Sequence, residues 1–145
     1  MAANLSISPA QVQRTKLCEG LLLKIGNDTG HPVIGYGHDL TLAEQLMGKY
    51  RDYGITPTQA DAILLADMAA VEKWLNQRVP ADCTQGQFDA LCDFCYNVGY
   101  KDTLELLAHP WASLPQHIPL YDLVDGIPNK GIEARREQEV ETFNS

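Results

Sequence analysis

The sequence is poor in basic residues. Of its 145 residues, 11 are Lys or Arg and 19 are Asp or Glu, which gives a net charge of -8. A generic nucleic-acid-binding protein carries a basic patch, and docking onto anionic lipid also requires clustered cations. No stretch reaches the roughly 18 apolar residues that a membrane-spanning helix requires. We therefore expect no nucleic-acid partner and no stable membrane insertion.

The first residues, 1–9, also lack the basic and apolar regions of a secretory signal peptide. We therefore expect the chain to be cytoplasmic at synthesis. Its length suits one domain, and its 45% of hydrophobic residues is normal for a folded protein.

The sequence also lacks a complete metal-binding motif. Cys92 and Cys95 form a Cys-x-x-Cys pair, but no second pair stands at zinc-ribbon spacing and no histidine at zinc-finger spacing. Both cysteines fall on the apolar face of a predicted helix, where cysteine acts as a small hydrophobic residue. We predict that they pack in the core and expect no metal and no cofactor; a small Cys-x-x-Cys metal protein is the alternative.

The patterns predict a mainly helical chain with one small β element. Ser8-Pro9 opens a helix that runs to about Glu19-Gly20, and residues 21–38 form two short strands around a turn at 26–30. The remaining predicted helices begin after Thr41, after Thr56 (spanning 57–78) and at Thr84 (ending at Gly99), with short ones in 100–132 and a last one over 131–142.

Four motifs occur in the order typical of one family. Glu19-Gly20, Asn27-Asp28 and the segment 34–38 (Ile-Gly-Tyr-Gly-His) resemble the active-site hairpin of phage-type lysozymes, the endolysins of glycoside hydrolase family 24. Glu19 and Asp28 are nine positions apart, as the catalytic acids of that family are. Later segments are similar to the family's inter-lobe helix, its buried helix and its closing Gly-Leu-x-x-Arg-Arg-x-x-Glu motif; they are 55–67, 87–99 and 131–139.

The resemblance implies a fold and a reaction. The fold is lysozyme-like, α+β and mainly α, with a small lobe over about 12–55, a larger helical lobe over about 56–145, a joining helix from near 57 and a cleft between the lobes. The reaction is hydrolysis of the β-1,4 bond between N-acetylmuramic acid and N-acetylglucosamine in peptidoglycan. The family also implies a monomer that reaches the cell wall through a holin-type pore.

Two carboxylates are the catalytic candidates. Glycoside hydrolysis needs an acid that protonates the leaving oxygen, and an inverting enzyme needs a second carboxylate, roughly 6.5–9.5 Å away, to activate water. The resemblance assigns these roles to Glu19 and Asp28. Considered alone, Glu19 is an exposed carboxylate at a helix end and Asp28 is a turn former.

One position departs from the family pattern. The family's threonine, whose hydroxyl helps to hold the attacking water, corresponds here to Val33, and the turn before it is one residue shorter. Thr29 or His31 is a candidate to replace that hydroxyl. The departure motivates an alternative function: a lysozyme-fold protein that binds glycan or a protein partner with weak or no hydrolysis.

The family also implies supporting roles for other residues. His38 pairs with Asp67, although a merely structural histidine is the simpler interpretation. Arg135 or Arg136 pairs with Glu19 or with core carboxylates, and the sequence does not choose between them. The sugar-contacting positions are Gly37, Tyr96 and Asn97, for which core packing of Tyr96 and helix capping by Asn97 are the alternatives.

Overall fold

The computed structural model describes residues 3–28, 30–51 and 53–145, apart from the side chain of Asp28. Five strands and seven α-helices occur in these residues. The strands are β1 (Leu22–Asp28), β2 (His31–Gly35), β3 (His38–Asp39), β4 (Leu123–Val124) and β5 (Ile127–Pro128). The helices are α1 (Pro9–Glu19), α2 (Leu42–Leu46), α3 (Pro57–Asn76), α4 (Gln85–Val98), α5 (Tyr100–Leu107), α6 (Leu114–His117) and α7 (Lys130–Phe143).

The chain divides into two compact units. One is Gln13–Ala70, which we call the hairpin unit. The other, the helical unit, comprises the described residues up to Val12 together with Val71–Ser145. Among the described residues, no helix combines the length and the apolar character that crossing a membrane requires.

The predicted starts of α1, α2, α3 and α4 are confirmed. Local hydrogen bonds fix each of these four helix starts. The Ser8 hydroxyl accepts a hydrogen bond from the Gln11 backbone N–H at 3.2 Å. Helices α2, α3 and α4 each begin with a capping box. In each box the threonine hydroxyl accepts a hydrogen bond from the backbone N–H of the glutamate or glutamine three residues later, and the side chain of that residue accepts one from the threonine N–H. Their residue pairs are Thr41 with Glu44, Thr56 with Gln59 and Thr84 with Gln87.

The hairpin unit contains an antiparallel sheet in the order β1-β2-β3. Strand β1 continues to Asp28, so the turn is tighter than the predicted turn at 26–30. The Asn27 side-chain oxygen accepts a hydrogen bond from the Gly30 N–H at 2.9 Å, which stabilises this turn. The core beneath the sheet consists of Ile34, Leu40, Ile55 and Ala60.

Helix α4 is the centre of the helical unit. Its residues from Phe88 to Cys95 are all buried, and α5 and α7 pack against it. The prediction that Cys92 and Cys95 pack in the core is confirmed, since they are 0% and 2% exposed. Burial raises the pKa of both thiols, so they remain protonated and unreactive.

The sequence analysis missed the hairpin of β4 and β5. Asp125 and Gly126 form its turn, both with positive φ (51° and 79°), which suits a two-residue hairpin loop. The strands are only two residues long, and β5 ends at Pro128. Alternation over two residues is too short to be distinguished from a loop by pattern alone.

Candidate active site

Glu19 is the last residue of α1, directly before the sheet. The Gly20 N–H donates to the Lys16 carbonyl at 2.9 Å, and Gly20 then turns the chain with φ +73°, so that β1 begins at Leu22. The Lys16 ammonium, one helical turn before Glu19, forms an ion pair with Asp61 at 2.7 Å. Glu19 itself is half-buried, which contradicts a fully exposed helix-end carboxylate.

The carboxylate of Glu19 packs against Gly37. Gly37 lies in the short turn between β2 and β3 and has φ +82°. A Cβ atom at this position would lie 3.1 Å from Oε1 and 3.4 Å from Cδ of Glu19. A side chain at Gly37 would therefore press on the carboxyl group, which would have to shift by a few tenths of an ångström.

We expect Gly37→Ala to lower catalysis about tenfold to a hundredfold, because the new methyl group presses on Glu19 and small displacements of reacting groups are costly. The matched control is Gly126→Ala. Gly126 also has a positive φ (79°), but a Cβ there meets no atom within 4 Å, so that only the left-handed strain of roughly 1–2 kcal/mol remains. Initial rates on cell-wall suspensions check this; equal rates for the two variants would contradict it.

His38 fixes the turn that carries Gly37. Its Nδ1 lies 2.7 Å from Oδ2 of Asp67, and its Nε2 lies 3.0 Å from Oε1 of Glu44. The hydrogen bond with Asp67, opposed by burial and assisted by Glu44, raises the pKa of His38 to about 9. His38 and Asp67 therefore form the ion pair that the family resemblance implied. The sequence analysis missed Glu44 as a second partner, although its capping box already placed that side chain near Thr41.

We predict that Asp67→Asn destabilises the protein by on the order of 2 kcal/mol near pH 6. Because the folded pKa of His38 is raised, this stabilisation is complete below the unfolded pKa of about 6.5. It disappears as the pH rises through about 9. Urea unfolding at pH 6 and pH 9.5 measures it. Asp61→Asn, which removes the pair with Lys16, should cost less than about 1 kcal/mol at both pH values; equal stability of Asp67→Asn and the parent at pH 6 would exclude the pair's contribution.

The backbone of Asp28, the second catalytic candidate, lies at the end of the β1–β2 ladder. The Asp28 backbone is directly opposite His31, and Gly26 is opposite Val33. His31 is exposed, whereas Val33 is 6% exposed and packs within the sheet. The Asp28 side chain and Thr29 lie outside the described residues, so their roles stay predictions.

Two of the predicted sugar-contacting residues, Tyr96 and Asn97, belong to the helical unit. Asn97 lies inside α4, whose C-cap is Gly99, so the interpretation of Asn97 as a cap is wrong. Its side-chain oxygen accepts a hydrogen bond from Nη2 of Arg136 at 2.8 Å. Tyr96 is half-buried beside it. Sugar contact by Tyr96 and Asn97 remains a prediction.

Both arginines pair with buried carboxylates of the helical unit. Arg135 donates two hydrogen bonds to Asp93, each 2.9 Å long, and Nε of Arg136 lies 2.6 Å from Oε1 of Glu139. Burial and a hydrogen bond with Asp93 raise the pKa of Glu139 well above its usual value. The arrangement agrees with the expectation of core carboxylates as partners.

Comparison with known proteins identifies the family. The family model described as phage lysozyme matches residues 16–139, which is most of the sequence. This chain belongs to the phage lysozyme family. It is similar over 97% of its length, at 33% identity, to an endolysin of Bacillus phage PZA.

Solved phage-lysozyme-like structures have the same lysozyme-like fold. The endolysin of Escherichia coli O157:H7 phage FAHEc1 superposes with a TM-score of 0.81 at 26% identity, covering 99% of this chain and 96% of that one. The muramidase domain of SpmX from Asticaccaulis excentricus gives 0.83 at 26% identity, covering 98% and 99%. This chain spans 53–64% of the length of the curated endolysins that it matches, 56% for that of phage PZA.

Proposed function

We propose that this protein is a muramidase that hydrolyses the β-1,4 bond between N-acetylmuramic acid and N-acetylglucosamine in peptidoglycan and so lyses bacteria. The observation that carries the proposal is the placement of Glu19 at the end of α1, half-buried against the bare backbone of Gly37. The family match from 16 to 139 supports the same activity.

In this proposal Glu19 is the general acid. It donates its proton to the glycosidic oxygen as the bond to the sugar C1 breaks, and the positive charge develops on the sugar ring. Asp28 takes a proton from a water that attacks C1 from the opposite face, which inverts the configuration. Gly37, Tyr96 and Asn97 contact the sugar chain.

Purified sacculi distinguish hydrolysis from mere binding. The proposal predicts that the protein releases soluble sugar fragments into the supernatant and that turbidity falls with time. A glycan-binding protein without hydrolysis would sediment with the sacculi and release nothing. The second result would replace the muramidase proposal by the binding alternative.

The binding alternative has one specific observation in its favour. Val33 is buried, at 6% exposure, at the position where the family has a threonine, and valine has no hydroxyl to hold the attacking water. A hydrogen bond of this kind contributes on the order of 1–3 kcal/mol. We therefore propose that Val33 moderates the rate and that Thr29 or His31 substitutes in part.

We predict that Val33→Thr raises the initial rate of wall hydrolysis about tenfold or more, since a restored hydroxyl would hold the water. Val79→Thr is the matched control. Val79 is 7% exposed, similar to Val33, and lies in the helical unit, so it reports the cost of burying a hydroxyl without any effect on chemistry. An unchanged rate for Val33→Thr would show that this position does not limit the reaction.

We also propose, from the family resemblance, that the protein acts as a monomer. On the same basis it is synthesised in the cytoplasm and acts on the cell wall after passing a holin-type pore. Size-exclusion chromatography with light scattering tests the oligomeric state.

A further inference from the structure

The helical unit contains a pair of histidines that the proposed function does not use. The rings of His109 and His117 stack, with centroids 3.7 Å apart and planes 10° from parallel. His109 follows the C-terminal end of α5, and His117 is the last residue of α6. Their side chains meet although eight positions separate them in the sequence.

Buried neighbours hold the backbone of both histidines. The His109 N–H donates to the Leu106 carbonyl at 3.1 Å, and the residue after His117, Ile118, donates its N–H to the Leu114 carbonyl. The side chains of Leu106, Leu114 and Ile118 are all fully buried. The fold therefore brings the two imidazoles together.

Both side chains carry ring nitrogens that can act as metal ligands. A neutral imidazole offers a lone pair on one ring nitrogen and is the commonest metal ligand in proteins. Zinc, copper and nickel are the ions that imidazole nitrogen suits.

We propose that His109 and His117 together bind one divalent transition-metal ion, such as Zn²⁺ or Cu²⁺. Metal–nitrogen bonds are about 2.0–2.1 Å long, so two nitrogens on one tetrahedral ion lie roughly 3.4 Å apart. The two rings stack with their centroids 3.7 Å apart, so each ring must rotate about its side-chain bonds before one nitrogen of each can face the same ion. No group of three or more metal-binding side chains occurs in the described part of the chain, so water would complete the coordination.

The bound ion would join the ends of α5 and α6 and stabilise the helical unit by mass action. This proposal departs from the expectation of no metal, because nothing in the sequence pattern placed His109 beside His117. Magnesium and calcium should not bind there, since both prefer oxygen ligands.

Isothermal titration of the tag-free, chelator-treated protein with ZnCl₂ and with CuCl₂ at pH 8 tests the proposal. We expect one ion per chain, a higher melting temperature with Zn²⁺, and no heat with MgCl₂. His109→Gln and His117→Gln should each weaken binding by at least about tenfold, because each removes one of two protein ligands. His31→Gln, which replaces an exposed histidine of the hairpin unit, should leave binding unchanged.

Absence of Zn²⁺ and Cu²⁺ binding, or binding that persists unchanged in both the His109 and His117 variants, would overturn the site. The readouts are heat and melting temperature, not wall hydrolysis. The metal site and the muramidase proposal can therefore fail independently.

Discussion

Glu19→Gln is expected to lower the rate of peptidoglycan hydrolysis by about 10²–10⁴-fold, the range that a positioned general acid contributes. Glutamine keeps the size of the side chain that packs against Gly37 but cannot donate the proton to the leaving oxygen. The melting temperature should therefore stay close to that of the parent. Turbidity clearance and release of soluble fragments, measured side by side, give the rate.

Glu105→Gln is the control for Glu19→Gln. Glu105 is also a carboxylate in the last turn of a helix, α5, and it is exposed. Its replacement changes the charge of a helix end in the helical unit, and no catalytic role is proposed for Glu105, so the rate should remain that of the parent. Equal rates for the two variants would mean that Glu19 is an ordinary helix-end carboxylate.

Glu139→Ala should destabilise the protein by about 3–5 kcal/mol, because it removes the carboxyl partner of the buried Arg136 guanidinium. Glu139 and Arg136 are 2% and 0% exposed, and the glutamate contacts both Nε and Nη2 of the guanidinium. Among the described residues Nη1 of Arg136 already has no hydrogen-bond partner. Without Glu139, the hydrogen bond to Asn97 would be the main polar contact left to a buried cation.

Urea unfolding at pH 7 measures this loss. Glu137→Ala on the same helix is the matched control, because Glu137 is exposed and its removal should change the free energy of unfolding by less than about 0.5 kcal/mol. Similar stabilities of the Glu139 and Glu137 variants would show that the buried contact between Glu139 and Arg136 contributes little.

Features that depend on neighbouring residues were predictable from the sequence. The capping boxes of Thr41, Thr56 and Thr84 each close within four residues, and their helices begin where the pattern placed them. The apolar spacing of α4 likewise indicated its buried face, including Cys92 and Cys95. Local hydrogen bonds and periodicity need no knowledge of distant contacts, which explains this agreement.

Features that depend on contacts between distant segments were not predictable in detail. The approach of Gly37 to the Glu19 carboxylate joins a turn and a helix end, and the stacking of His109 on His117 joins the ends of two helices. Gly54 is a further case: a Cβ there would collide with the Leu23 carbonyl oxygen, so only glycine fits. A glycine in a sequence signals freedom of φ but not the atom that lies against it.

The chemical identity of the new reducing ends tests the central claim most directly. Purified peptidoglycan is digested with the protein, the products are reduced with borohydride, and the reduced sugar is identified by mass spectrometry. A muramidase leaves N-acetylmuramic acid at each new reducing end, so we predict N-acetylmuramitol in fragments from the parent protein and almost none from Glu19→Gln. Reduced N-acetylglucosamine, or no new reducing ends at all, would contradict the assignment.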